Sequence, residues 1–234
     1  FQPSQSSSPL ACRMVYGAFW SLAGAVLSRG LSLVSSILVA RMLGKEGFGE
    51  LGMIQSTIGM FQIFAGFGLG LTATKFVAEF RFKDVTKAGR VISLSIYFAA
   101  GSGALVAIIL FIFAPWVAER ILAAPVMGGL LRIGSPMLLF GAIAGAQTGT
   151  LAGFEAFRTI AKVNIISGLL NFPCLIVGVY IWGVVGAVWA LVVSSLFGVC
   201  LNQFALYKEC KCAGIIFPAQ NAMVEQDVLW RFSL

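Results

Sequence analysis

The chain has 234 residues, of which 59% are hydrophobic and 11% charged, with a mean hydropathy of +0.95 and a net charge of +7. Soluble domains carry about 25% charged residues, so this composition excludes a water-soluble globular fold and predicts an all-α membrane protein. At about 20 residues per span, six spans consume nearly the whole length and leave no room for a separate soluble domain.

Residues 1–14 open with FQPSQSSSPLACR, a Ser-, Pro- and Gln-rich stretch read as a disordered tail. It lacks the basic and apolar regions of a signal peptide. The first residue is Phe, so the sequence is read as a fragment, with Met14 as a candidate natural start. Residues 15–207 are read as a transmembrane lobe of six spans. The first runs from about Val15 to Ala40 and is broken only by Arg29. Gly44, Gly47 and Gly49 then predict a tight turn, because Gly tolerates the positive φ of a helix end.

The second span is Leu51–Thr74, 24 residues without a charge. As one helix it reaches roughly 36 Å, enough to cross a hydrocarbon core of about 30 Å. Gln55, Gly59, Gln62, Gly66 and Gly70 recur at helical spacing and predict a small, polar face turned inward. Lys75–Arg90 mixes Phe76, Phe80 and Phe82 with basic residues and is read as an interfacial segment on anionic lipid. Receiving a lipid-linked substrate is the alternative role for that segment.

The third span, about Val91 to Pro115, ends at the interface anchor Trp116. The fourth lies between Arg132 and Glu155 and carries Gly141, Gly145, Gly149 and Gly153 at intervals of four, a close-packing ridge. Val163–Tyr207 has 45 residues without a charge, enough for spans five and six, with a turn expected at Trp182–Gly186. Pro136 and Pro173 predict kinks in the fourth and fifth spans. Residues 208–234 are read as a cytoplasmic loop followed by the start of a truncated seventh span at Leu229, Trp230 and Phe232.

The basic residues lie between apolar runs, which pairs them with membrane lipids and predicts no nucleic-acid partner. With the N-terminus in the cytoplasm, ten Lys and Arg fall on the inner side and four on the outer, and this bias predicts that orientation. Cys12, Cys174, Cys200, Cys210 and Cys212 have no zinc spacing and the chain has no His, so neither a metal nor a cofactor is expected. There is also no phosphate-cradling Gly-rich loop with its Lys, and no acidic cluster. An enzyme is therefore not expected.

Arg29 is the one ionisable residue placed deep in a span. It lies about a dozen residues from either end of its helix, too far for snorkelling, so it is expected to face protein or a water-filled cavity beside Ser21, Ala25, Ser32 and Ser36. Two roles fit: a contact to an anionic substrate group, or a structural cation capped by carbonyls or by a partner. No span holds an Asp or Glu, which disfavours cationic-drug export and suits a phosphate-bearing substrate. Asn164, Ser167, Gly168 and Asn171 share one face of span five, where they line a pathway or bond to packed helices. Arg29 is the candidate phosphate contact, and Gln55, Gln62, Asn164 and Asn171 are candidates for sugar contacts or lobe packing.

At Arg41, Leu43, Gly44, Phe48 and Gly49 the sequence resembles the polysaccharide exporter family, the O-antigen flippase type of the multidrug/oligosaccharidyl-lipid/polysaccharide (MOP) exporter superfamily. The glycine-rich end of span two into Thr72, Ala73, Lys75 and Glu79, and Leu151–Arg158 after span four, fit the same family. The resemblance covers nearly all of the chain from Tyr16. It implies the six-helix N-terminal lobe of a MOP/MATE-like exporter fold, two lobes around a central cavity. It further implies a lipid-linked oligosaccharide, carried on undecaprenyl pyrophosphate, as substrate, a multi-pass location in the bacterial inner membrane, and a missing C-terminal lobe as partner. A drug or peptidoglycan-precursor exporter of the same fold is the alternative, and a membrane glycan polymerase or ligase is the alternative from another class.

Overall fold

The computed structural model describes residues 9–66, 68–81 and 85–212. The described residues form helices: α1 (Pro9–Gly66), α2 (Leu69–Phe80), α3 (Val85–Arg120), α4 (Met127–Gly134), α5 (Pro136–Gly153) and α6 (Phe157–Cys212). Among the described residues, four stretches are long and apolar enough to cross a membrane: Ser28–Phe80, Thr86–Arg120, Met127–Gly153 and Phe157–Lys211. Of the tail expected at 1–14, residues 1–8 lie outside the described residues, and helix has begun by Pro9. The loop and seventh span expected at 208–234 lie outside them from residue 213 onward, and Lys208–Cys212 continue α6.

Two of these helices are bent back on themselves. In α6, Trp182 (φ −130°, ψ 15°) and Gly183 (φ 58°, ψ −131°) leave helical geometry, at the turn expected from Trp182–Gly186. On either side, a Cβ added at Gly178 would lie 3.0 Å from the Ala190 methyl. In a straight helix residues twelve apart are about 18 Å apart along the axis, so the chain has reversed. At the far ends of the two limbs the Thr159 hydroxyl donates to Glu209 Oε1 at 2.7 Å, although fifty residues separate them. In α1 the break is Gly44 (φ 71°, ψ −175°). Gly47 and Gly49, expected to share that turn, lie in the helix that follows it, because one left-handed glycine suffices to redirect the chain.

Packing fixes the sense of each limb. Gly168 meets Ser28 while Val184 meets Gly47, so the first limbs of α1 and α6 run in the same direction. Ile58 packs on Gly134, Gln62 on Gly141, Gly70 on Gly149 and Val77 on Gly153, so the second limb of α1 with α2 runs parallel to α4 and α5. In turn, α4 and α5 run parallel to the second limb of α6, through Val188 on Gly134 of α4 and the Gln147–Gln203 pair. The limbs of α1 therefore also run in opposite senses. α3 is antiparallel to α4 and α5, with Pro115 on Gly128 and Gly103 on Ala142, and the Ser102 hydroxyl donates to the Ala65 carbonyl at 3.0 Å.

Three further points differ from the sequence-based expectation. The Leu51–Thr74 run is not one helix: α1 ends at Gly66 and α2 starts at Leu69 after left-handed Gly68 (φ 67°), where Gly66, Gly68 and Gly70 weaken helix continuity. The third helix continues through Pro115 to Arg120. The Lys75–Arg90 segment is mostly helix, with Lys75–Phe80 in α2 and residues 85–90 in α3.

The core has two apolar ends joined by a lean middle. Val39, Leu51, Ile54, Leu110, Leu131 and Val188 pack near the Gly44 and Gly183 turns. Val77, Ile92, Leu151, Leu206 and Cys210 pack at the opposite end. Between them Ala65, Ala99, Ala142 and Ala146 form a cluster of alanines that lets helix backbones approach. The outer surface is apolar: Leu71, Ile63, Leu105, Ile112 and Phe204 are all more than 60% exposed, which suits lipid and not water.

Candidate functional site

Three limbs line an open polar cavity of about 340 Å³. Ser28, Leu31, Ser32 and Ser35 of α1 share one helical face by their spacing of three and four. Asn164, Ser167, Gly168 and Asn171 repeat that spacing on the first limb of α6, with Phe172 beside them. Leu191, Ser194 and Ser195 close the cavity from the second limb, placed opposite by the reversal at Gly183. Gly168 faces Ser28 across the seam between α1 and α6, where a Cβ would lie in ordinary contact, 3.4 Å from the Ser28 hydroxyl oxygen.

The polar atoms are under-used. Ser35 Oγ, Asn171 Oδ1 and Ser194 Oγ are buried and have no hydrogen-bond partner among the described residues. Ser195 satisfies itself within its helix, donating to the Val192 carbonyl at 2.7 Å. Buried polar groups are ordinarily paired, so three such oxygens around one cavity leave bonds open for water or for another polar group.

The sequence-derived candidates separate into groups. Asn164 and Asn171 come together in the cavity. Arg29 stands outside it, one residue beyond Ser28, on an exposed strip with Val26, Leu33 and Ile37. It makes no ion pair among the described residues. Its expected neighbour Ser32 turns to the cavity, Ser36 donates to the Leu33 carbonyl at 2.9 Å, and the side chains of Ser21 and Ala25 lie outside the described residues. Gln55 is exposed. Gln62 is half-buried with its amide against Gly141, a packing contact between α1 and α5. Ser28, Ser35, Ser194 and Ser195 were missed. For the α1 pair the signal was a serine repeat at 28, 32 and 35; for the α6 pair it was two hydroxyls in an otherwise apolar run.

A second polar contact is structural. Gln147, 1% exposed, donates its side-chain amide to Gln203 Oε1 at 2.8 Å and ties α5 to α6. No group of three or more metal-ligating side chains occurs among the described residues.

An apolar-surfaced bundle of membrane-length helices with a hydroxyl- and amide-lined cavity fits an integral membrane protein. The family model for Polysaccharide biosynthesis protein matches residues 14–230, nearly the whole chain. The chain belongs to that family, and with its four membrane-length apolar helices it is a membrane protein of polysaccharide biosynthesis. No curated protein matches it, and no solved structure does.

Proposed function

We propose that the chain is one lobe of an exporter that carries lipid-linked oligosaccharide across the cytoplasmic membrane. The observation that most supports this reading is the family match over residues 14–230. The opposed limbs of α1 and α6 support six crossings, because each reversal at Gly44 and Gly183 divides one long helix into two spans. The end that holds Glu155 and Glu209 gathers Lys75, Arg81, Lys87, Arg90, Arg158, Lys162, Lys208 and Lys211, whereas Arg41, Lys45, Arg120 and Arg132 lie at the other. That bias supports a cytoplasmic placement of the Glu155 end and an inner-membrane location with the N-terminus inside. Trp116, Tyr180 and Trp182, exposed at the opposite end, suit an outer interface.

Arg29 in this mechanism meets the phosphate end of the substrate. An Arg at mid-span costs roughly 2.5 to 3.5 kcal/mol, so an exposed Arg29 calls for a partner outside this lobe: substrate phosphate or a second lobe. The exposure of Gln55, on the stretch before α1 packs on α5, supports a sugar or a lobe contact.

The test is complementation of a glycan-export defect. Deleting the gene should deplete surface glycan and accumulate its lipid-linked precursor, and Arg29→Leu should reach the membrane yet fail to restore export. Surface glycan unchanged by the deletion removes the exporter function, and full export by Arg29→Leu removes the role of Arg29 alone.

A further inference from the structure

We propose that the Ser- and Asn-lined cavity is a subsite for an uncharged polyhydroxylated group, a single glycosyl ring, and not for a phosphate. Its place in transport rests on the exporter function proposed above, but its chemistry comes from the cavity.

Among the described residues that line it, none is ionisable, so a phosphate would find no counter-charge there. What the wall offers is hydroxyls and carboxamides, groups that both donate and accept, as sugar hydroxyls do. Ser35, 5% exposed, presents an unpartnered Oγ, and Asn171 Oδ1 and Ser194 Oγ are unpartnered from the facing limbs. A ring hydroxyl that bonds these atoms gives them the partner that buried polar groups ordinarily have, in exchange for any water held there. Leu31, Phe172 and Leu191 add apolar surface for the C–H face of a ring. The volume, about 340 Å³, sits at the small end of the about 300–1,000 Å³ usual for ligand pockets. That size suits one ring and not an oligosaccharide. Ser32 and Asn164 are exposed and form the mouth.

The experiment uses the full chain in lipid nanodiscs and saturation-transfer NMR with a panel of uncharged methyl glycosides, with inorganic pyrophosphate as competitor. Expected is saturable binding of at least one glycoside, undisturbed by pyrophosphate and weakened about tenfold by Asn171→Leu, the effect of losing roughly one well-made hydrogen bond in a buried site. Ser35→Ala, a smaller change, should weaken it in the same direction and serves if Asn171→Leu does not fold. Thr57→Ala, whose hydroxyl only bonds the Met53 carbonyl of its own helix, should bind as the parent does. Absence of saturable glycoside binding, with only bound water detected in the cavity, overturns the proposal. So does displacement by pyrophosphate, or equal binding by parent and both cavity variants. Surface glycan unaffected by gene deletion would count against the exporter function while leaving this equilibrium readout intact.

Discussion

Gly70 and Gly149 meet backbone to backbone where α2 crosses α5, and the Thr74 hydroxyl lies 2.8 Å from both the Gly70 and the Gly149 carbonyl oxygens. A methyl group on Gly149 would overlap the Gly70 carbonyl. The glycine ridge of α5 thus has unequal members: Gly149 is in contact, whereas a Cβ on Gly145 meets nothing within 4 Å. Gly149→Ala should destabilise the lobe by about 1–3 kcal/mol through overpacking. Gly145→Ala should be neutral or slightly stabilising, since Ala is the better helix former. Thermal unfolding in detergent compares them, and equal losses would contradict this packing.

The reversal in α6 depends on Gly183, whose φ of 58° with ψ of −131° is a conformation essentially reserved for glycine. Gly183→Ala should cost about 1–3 kcal/mol and increase proteolysis between the two limbs. Gly198→Ala, in regular helix with open space around its Cβ position, should behave like the parent in the same assay. Parent-like resistance in Gly183→Ala would mean that the turn is not fixed by this residue.

Gln147 and Gln203 form a bonded pair in which Gln147 is the buried member. Gln203→Leu strands the Gln147 amide and should cost about 1–3 kcal/mol, while the double change to Leu at both positions should recover most of that loss. A double-mutant cycle on unfolding midpoints measures the coupling. Additive effects would assign the pair no specific role.

The proposed six crossings with the N-terminus inside would put Glu46 and Val126 on the outer face and Lys162 and Lys208 on the inner face. Single cysteines at these exposed positions, in a background without native cysteines, should sort accordingly. Positions 46 and 126 should react with an impermeant maleimide in intact cells, and positions 162 and 208 only after permeabilisation. Labelling of 46 and 162 from the same side would refute the odd number of crossings between them, made by the second limb of α1 with α2, by α3, and by α4 with α5.

Much of the helical pattern was legible in the sequence because a membrane interior imposes it residue by residue. A run such as Val163–Tyr207 has no polar alternative to helix, and Gly183 inside it is where the chain can reverse. Legibility failed where the local signal was ambiguous. Gly66, Gly68 and Gly70 read as a small face on a continuous span, yet they interrupt it, since glycine serves both close packing and helix breaking. Pro115 read as an end, yet α3 passes through it with its ring packed on Gly128.

The candidate site divides in the same way. Asn164 and Asn171 were visible as a stripe because helical periodicity acts within one element. That Ser35 and Ser194 face the same stripe required knowing that the first limbs of α1 and α6 run side by side and that α6 doubles back. Arg29 was expected to share an inward face with Ser32, but one step of about 100° around the helix separates Ser28 in the cavity wall from Arg29 on the exposed strip. By itself the sequence determined the solvent, the helical state and the main glycine turns, because these follow from hydrophobicity and backbone sterics acting locally. Only the tertiary structure decided which polar faces meet, since packing directions between limbs far apart in the chain are set by contacts such as Gly168 on Ser28 and Gly70 on Gly149, which no local pattern encodes.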